Sequence, residues 1–139
     1  MTTTVTRIAL LHLSPAPGAL EQNRQLVEAA IRSAADAGAE LIVTPELAIT
    51  GYEFVEHIGS DWIEPQPDSW VQGVAELARR RRVTIFLSVP ERVGDRLYNT
   101  LLAIDRTGQI AGRHRKINAL RVGPEAWSTP GEDINAVPI

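Results

Sequence analysis

Short apolar runs alternate along this chain with longer stretches in which apolar residues return every three or four positions. Ile8-Ala9-Leu10-Leu11-His12-Leu13 is a compact apolar run closed by Ser14-Pro15-Ala16-Pro17-Gly18, which predicts a buried strand and then a turn. From Leu20 to Ala37 the spacing becomes helical: Leu20, Val27, Ala30, Ile31 and Ala34 form one apolar stripe. Gly38 follows where helices commonly end in a left-handed residue, and Leu41-Ile42-Val43 predicts a second short strand. Thr50 to Pro67 is rich in Gly, Pro and aromatic residues and reads as a loop. Asp68-Ser69 can cap a helix carrying Val71, Val74, Ala75, Leu77 and Ala78. That helix ends in Arg79-Arg80-Arg81-Arg82, positive charge at the negative pole of its dipole. Val83 to Val89 is β-branched and apolar, the clearest strand in the chain. Leu97 to Ile104 and Gln109 to His114 predict two further strands joined by a hairpin at Asp105-Arg106-Thr107-Gly108.

The resulting order, β-α-β-α-β-β-β, predicts an α/β fold: a sheet with helices on one face that passes into antiparallel strands. A length of 139 residues fits one domain. The 44% hydrophobic and 22% charged shares are those of an ordinary globular protein, which argues against disorder, collagen and coiled coil. No apolar run approaches the roughly 18–20 residues that cross a bilayer, and the threonine-rich start lacks the apolar core of a signal peptide. The expectation is a cytoplasmic protein without a membrane partner. A net charge of −3 provides no general attraction for nucleic acid, and the arginine run is better explained by the helix dipole. A nucleotide-binding reading needs a glycine-rich loop after the first strand, and Ser14 to Gly18 has one glycine and two prolines. There are no cysteines, which excludes disulfides, cysteine-based zinc sites and a cysteine nucleophile within these residues.

Three places could carry chemistry. Thr44-Pro45-Glu46-Leu47 directly follows the second strand. Locally it reads as a helix start, with Thr44 as cap and Pro45 at the first helical position. Functionally, Glu46 is a carboxylate at the carboxyl end of a buried strand, where open α/β sheets gather their sites. The two readings are compatible. Arg113-His114-Arg115-Lys116 ends the last strand; alternation sends His114 and Lys116 to one side and Arg113 and Arg115 to the other. An inward lysine beside a carboxylate could stabilise a developing oxyanion. Glu125 and Trp127 lie farther on, and by themselves read as a loop glutamate and a core aromatic.

Taken in order, these segments resemble the nitrilase superfamily of carbon–nitrogen hydrolases. Glu40 to Tyr52, through Thr44-Pro45-Glu46-Leu47, is similar to the family's first catalytic block; Leu97 to Gly108 is similar to its hairpin; Gly112 to Ile117 is similar to its lysine block. The resemblance covers nearly the whole chain and implies part of an α-β-β-α sandwich, residues 1–139 being the amino-terminal half of the domain. It implies a catalytic set of glutamate, lysine and cysteine, with Glu46 as general base, Lys116 as catalytic lysine and Glu125 as a second, substrate-positioning glutamate. The cysteine block would follow one further strand, which Ile134 to Ile139 would begin. Tyr52, Phe54, Tyr98 and Trp127 are the residues expected to shape the substrate pocket. The implied substrate is a small amide, nitrile or carbamoyl compound, with no metal or organic cofactor. The implied partner is a further copy of the chain, in a homo-oligomer, or a complementary cysteine-bearing chain.

Without a cysteine the covalent route is closed, so the chain alone is expected to be inactive. The competing reading is a short paralogue that binds a small ligand or a partner and catalyses nothing. Half of a two-sheet sandwich should also leave one sheet face uncovered.

Overall fold

The computed structural model describes residues 5–134 together with 136 and 137. In chain order the elements are β1 (Ile8–Leu10), α1 (Leu20–Asp36), β2 (Leu41–Val43), α2 (Phe54–Ile58), α3 (Ser69–Arg81), β3 (Thr84–Val93), β4 (Arg96–Ile104) and β5 (Ile110–Arg115), followed by a 3-10 turn at Gly123–Glu125. The five strands form one sheet in the order β1-β2-β3-β4-β5. β1, β2 and β3 run parallel, as their helical crossovers require, and β3, β4 and β5 run antiparallel.

Each helix forms where the sequence allows it. Val27 and Ile31 are fully buried along α1, and Val71, Val74, Leu77 and Ala78 along α3. Asp68 caps α3 by accepting a hydrogen bond from the Val71 amide at 2.8 Å. Gly38, just past α1, has φ +84°, a left-handed conformation that favours glycine in the turn into β2. The arginine run closes α3 as expected of its dipole, with Arg82 in the left-handed cap position. Arg79 and Arg80 both bind Glu76, whose carboxyl is pulled from 4.5 to about 2 by those hydrogen bonds.

Both long helices pack on one side of the sheet. Ile42, Ile85, Leu87, Val89, Leu102 and Ile104 meet Val27, Ile31, Val71, Val74, Leu77 and Ala78 in a single core. The opposite side carries Ile8 and Leu10 at 56% and 68% exposure, with half-buried Leu41, Val43, Phe86 and Leu101 continuing the apolar row. One sheet face is therefore clad and the other is open.

Several local expectations change. β1 stops at Leu10, although Leu11 still donates its amide to Val43. β3 continues past Val89 to Val93, because the antiparallel β4 offers it a partner as far as Arg96. α2 is a short helix inside the segment read as loop. No helix starts at Thr44: Glu46 to Thr50 form a tight turn instead. The reason is tertiary, since β3 takes up the groups a helix would have used. The Ser88 amide donates to Thr44 Oγ1 and the Leu47 amide donates to Ser88 Oγ, both at 3.0 Å. Of the strand expected over Ile134 to Ile139, Ile134, Ala136 and Val137 are not in regular structure, and Asn135, Pro138 and Ile139 lie outside the described residues. No helix is long and apolar enough to cross a membrane among the described residues.

Leu87 is fully buried between the sheet and the helices. Leu87→Ala should lower unfolding free energy by about 2–5 kcal/mol, read as a shift of the urea midpoint. A loss below about 1 kcal/mol would mean that the helical layer is not packed on β3 as described.

Candidate active site

The turn after β2 delivers the first functional side chain. Leu47 is fully buried with φ +50°, a conformation that costs energy for a residue with a Cβ and persists only where its surroundings impose it. Here the imposing contacts are the two Ser88–turn hydrogen bonds and the Leu47 carbonyl, which accepts from the amides of Thr50 and Gly51. Buried Asn23 of α1 adds a second tie: its amide nitrogen donates to the carbonyls of Ala16 and Ile49, and its oxygen accepts from the Ala16 amide. The turns after β1 and β2 are thus fastened together, and Glu46 projects from a rigid mount over the open sheet face.

Lys116 arrives from the other direction, one residue beyond β5. Its amide donates to the Asn99 carbonyl at 2.8 Å, and its carbonyl accepts from the Gly131 amide at 2.8 Å. Alternation then decides orientation as expected: Lys116 and His114 line a cavity of about 330 Å³ with Glu46, Ser88 and Asn99, while Arg113 and Arg115 bind Glu91 on the helix side. Glu125, in the 3-10 turn, comes within reach because Ser128 closes that turn through two bonds to the Glu125 carbonyl.

The three groups meet at one ammonium. Lys116 Nζ lies 2.7 Å from Glu46 Oε1 and 2.5 Å from Glu125 Oε1. Glu46 is oriented by two further donors, Asn99 Nδ2 to Oε1 and the Tyr52 hydroxyl to Oε2, both at 2.8 Å. Glu125 Oε2 accepts from the Leu120 amide at 3.2 Å. Burial alone would raise the Glu46 pKa; hydrogen bonds from Lys116 and Tyr52, the Lys116 charge and the Asn99 bond outweigh it and hold the carboxylate below its ordinary 4.5. For Lys116 burial works downward, and the bonds and charges of Glu125 and Glu46 lift it above 10.5. The Tyr52 hydroxyl is raised above 10.0, first by its bond to Glu46 and then by burial. At neutral pH Lys116 is therefore an ammonium and Glu46 a carboxylate, with the Glu125 side chain on the same ammonium. Among the described residues no group of three or more His, Cys, Asp and Glu side chains could hold a metal ion.

The aromatic residues expected around the pocket divide. Tyr52 is 48% exposed and touches Glu46. Phe54 is fully buried and packs edge-on against Trp62 and half-buried Trp127, at 5.8 and 5.1 Å between centroids. Tyr98 stands on the helix side of the sheet under the Arg115 guanidinium, 4.5 Å from its ring. Its neighbour Asn99 reaches Glu46 instead, because adjacent strand residues face opposite ways. Asn99 and Ser88 were not singled out by sequence, and Thr44 only as a helix cap. Applying the same alternation to β4 as to β5 would have found Asn99; Ser88 carries no local signal, because its partners are 41 and 44 residues away.

This geometry sits on a fold with known counterparts. The carbon-nitrogen hydrolase family model matches residues 7–136. The chloroplastic omega-amidase of Arabidopsis thaliana is 33% identical over 105 residues, covering 70% of this chain and 28% of that protein. The crystal structure of Saccharomyces cerevisiae Nit3, a nitrilase-superfamily member, superposes with a TM-score of 0.81 at 22% identity, over 95% of this chain and 51% of that one. The amidase from Nesterenkonia sp. AN1, in a structure that shows acrylamide added at its active-site cysteine, gives 0.79 at 24% identity, over 93% and 51%. The mixed sheet clad by helices on one side defines this as an α/β protein of the nitrilase-superfamily fold. The chain belongs to the carbon-nitrogen hydrolase family, and it spans about half or less of the length of these relatives.

The paired charges should leave a pH signature. Because the folded Glu46 pKa is depressed, its contribution to stability is present above 4.5 and is lost as pH falls through the lowered folded value. Because the folded Lys116 pKa is raised, its contribution is complete below 10.5 and is lost as pH rises through the raised folded value. Lys116→Met should flatten both limbs of a plot of denaturation midpoint against pH. Limbs that survive in the variant would place the coupling elsewhere.

Proposed function

We propose that this chain carries the carboxylate and ammonium half of an amide-hydrolysing site, with Glu46 as general base, Lys116 as oxyanion partner and Glu125 as the group that positions Lys116 and substrate. The observation that supports this most directly is the single ammonium shared by two carboxylates at the edge of an uncovered sheet face. The chain has no cysteine. The nucleophilic thiol of the reaction is therefore assigned to polypeptide outside these 139 residues, either a continuation or a companion chain, whose own sheet would cover the open face.

The chemistry follows from the charges. A thiol is mostly protonated at neutral pH, and the Glu46 carboxylate, kept ionised by Lys116, takes its proton as sulfur bonds to the amide carbon. Negative charge moves onto the amide oxygen, where the Lys116 ammonium stabilises it. Glu46 returns the proton to the departing amine, leaving a thioester. It then takes a proton from water as water attacks, and gives it to the thiol when the acid leaves. Asn99 and Tyr52 keep the Glu46 oxygens aimed throughout. Tyr52, exposed at the rim, is the aromatic residue best placed to touch substrate. A small aliphatic amide is favoured over a nitrile, in keeping with the omega-amidase and amidase relatives.

The absence of cysteine favours a second reading, a non-catalytic chain that holds a small polar ligand in the same cavity. One series of measurements separates the two. The purified chain should release no ammonia from acetamide or propionamide above the buffer rate, and turnover by it would overturn the assignment of the nucleophile. The natively expressed protein, resolved by mass under denaturing conditions, should contain a species heavier than 15.2 kDa or a second, cysteine-bearing chain. In that assembly Glu46→Gln and Lys116→Met should each lower kcat by about 10²–10³-fold. A lone 15.2 kDa species that binds amides without turning them over would establish the second reading.

A further inference from the structure

A second charged cluster lies on the helix side of the sheet, behind the site. Glu91 of β3 is 1% exposed, yet it is a carboxylate. Arg113 Nη1 lies 2.7 Å from its Oε1, Arg115 Nε lies 2.9 Å from its Oε2, and the Thr100 hydroxyl donates to Oε2 at 2.9 Å. One buried residue thereby ties β3, β4 and β5 together by side chains. Register explains the meeting: Thr100 pairs with Arg115, Leu102 with Arg113, and Glu91 continues the inward row of Leu87 and Val89. Among the described residues β5 pairs only with β4, so its far end needs such a tie.

Lys116 directly follows Arg115. Two backbone bonds hold its main chain, to Asn99 and Gly131, and Lys116 lies one residue beyond the last paired position of β5. Arg115 is pinned at its head by Glu91 and stacked on Tyr98, and a Cβ on Gly131 would lie 2.3 Å from the Arg115 carbonyl. With Arg115 locked on one side, alternation sends Lys116 out on the other, toward Glu46 and Glu125.

We infer that Glu91 is a positioning residue for Lys116: by gripping Arg113 and Arg115 behind the sheet, it sets the direction in which the Lys116 ammonium meets Glu46 and Glu125. The inference rests on Lys116 being the functional lysine, but it can be tested without turnover. Lys116 is the only lysine in the chain, so lysine labelled with ¹³C at the ε position gives a single side-chain signal.

In the 139-residue chain the two ε-methylene protons should be inequivalent, because the ammonium is held, and the signal should titrate above the ordinary lysine range. Glu91→Gln should average the two protons and bring the titration back toward 10.5. Thr100→Val, which keeps the Glu91 charge and removes one of its donors, should produce a smaller loss of inequivalence in the same direction; it also serves if Glu91→Gln does not fold. Two results would overturn the inference. One is folded variants with a lower thermal midpoint and an unchanged Lys116 signal, which would make the cluster structural only. The other is a shifted titration with full inequivalence retained, which would make Glu91 a distant charge and not a positioning group. Neither result bears on whether a cysteine-bearing assembly hydrolyses amides, so the two proposals fail separately.

Discussion

The two-residue alternation of β3, β4 and β5 assigns every important side chain to one side of the sheet or the other. Leu87, Val89, Leu102 and Ile104 turn inward and are buried under α1 and α3, which fixes the register of these strands. A slip by one residue would bury polar groups and expose the core. Once the core has set the register, the paired residues Ser88, Asn99 and His114 have no choice but the open side. The apolar layer and the chemical layer are one constraint expressed on two faces.

Electrostatics then holds the site together. Partial burial pushes the Glu46 pKa up and the Lys116 pKa down, and in each the hydrogen bonds and facing charge outweigh it. One shared ammonium donates to both glutamates at once. Lysine suits this place better than arginine, because a compact tetrahedral donor can meet two separate carboxylates, whereas a planar fork favours one bidentate partner. The chain follows that division: Arg115 grips Glu91 with two nitrogens behind the sheet, and Lys116 bridges two separate glutamates in front of it.

Rigidity comes from polar bonds across long sequence separations. The turn bearing Glu46 is held by Ser88 from β3 at the Leu47 amide and by Asn23 from α1 at the Ile49 carbonyl, on either side of the buried left-handed Leu47. Strain at Leu47 is offset by the surrounding bonds that fix the turn. The cost is placed where it keeps the Glu46 carboxylate aimed at Lys116.

Much of this was legible in the sequence. Apolar periodicity located both long helices and all five strands, because helix and strand bury one face at different spacings and leave that trace in residue order. Asp68, Gly38 and the hairpin at Asp105–Gly108 announced themselves by local chemistry, and the ordered resemblance pointed to Glu46, Lys116 and Glu125. Strand parity also foretold which way Lys116 and Arg115 would part. Tertiary structure alone decided the rest. Thr44 and Pro45 have the makings of a helix start, yet β3 captures Thr44 and Leu47 and a turn forms. Phe54 could have lined a pocket but is buried against Trp62 and Trp127, and Asn99, not Tyr98, reaches the carboxylate. Glu91, an ordinary polar position by composition, becomes the buried tie behind the site. Local propensity and periodicity are written between neighbours in the chain; these outcomes depend on groups separated by tens of residues, which only the packed sheet brings together.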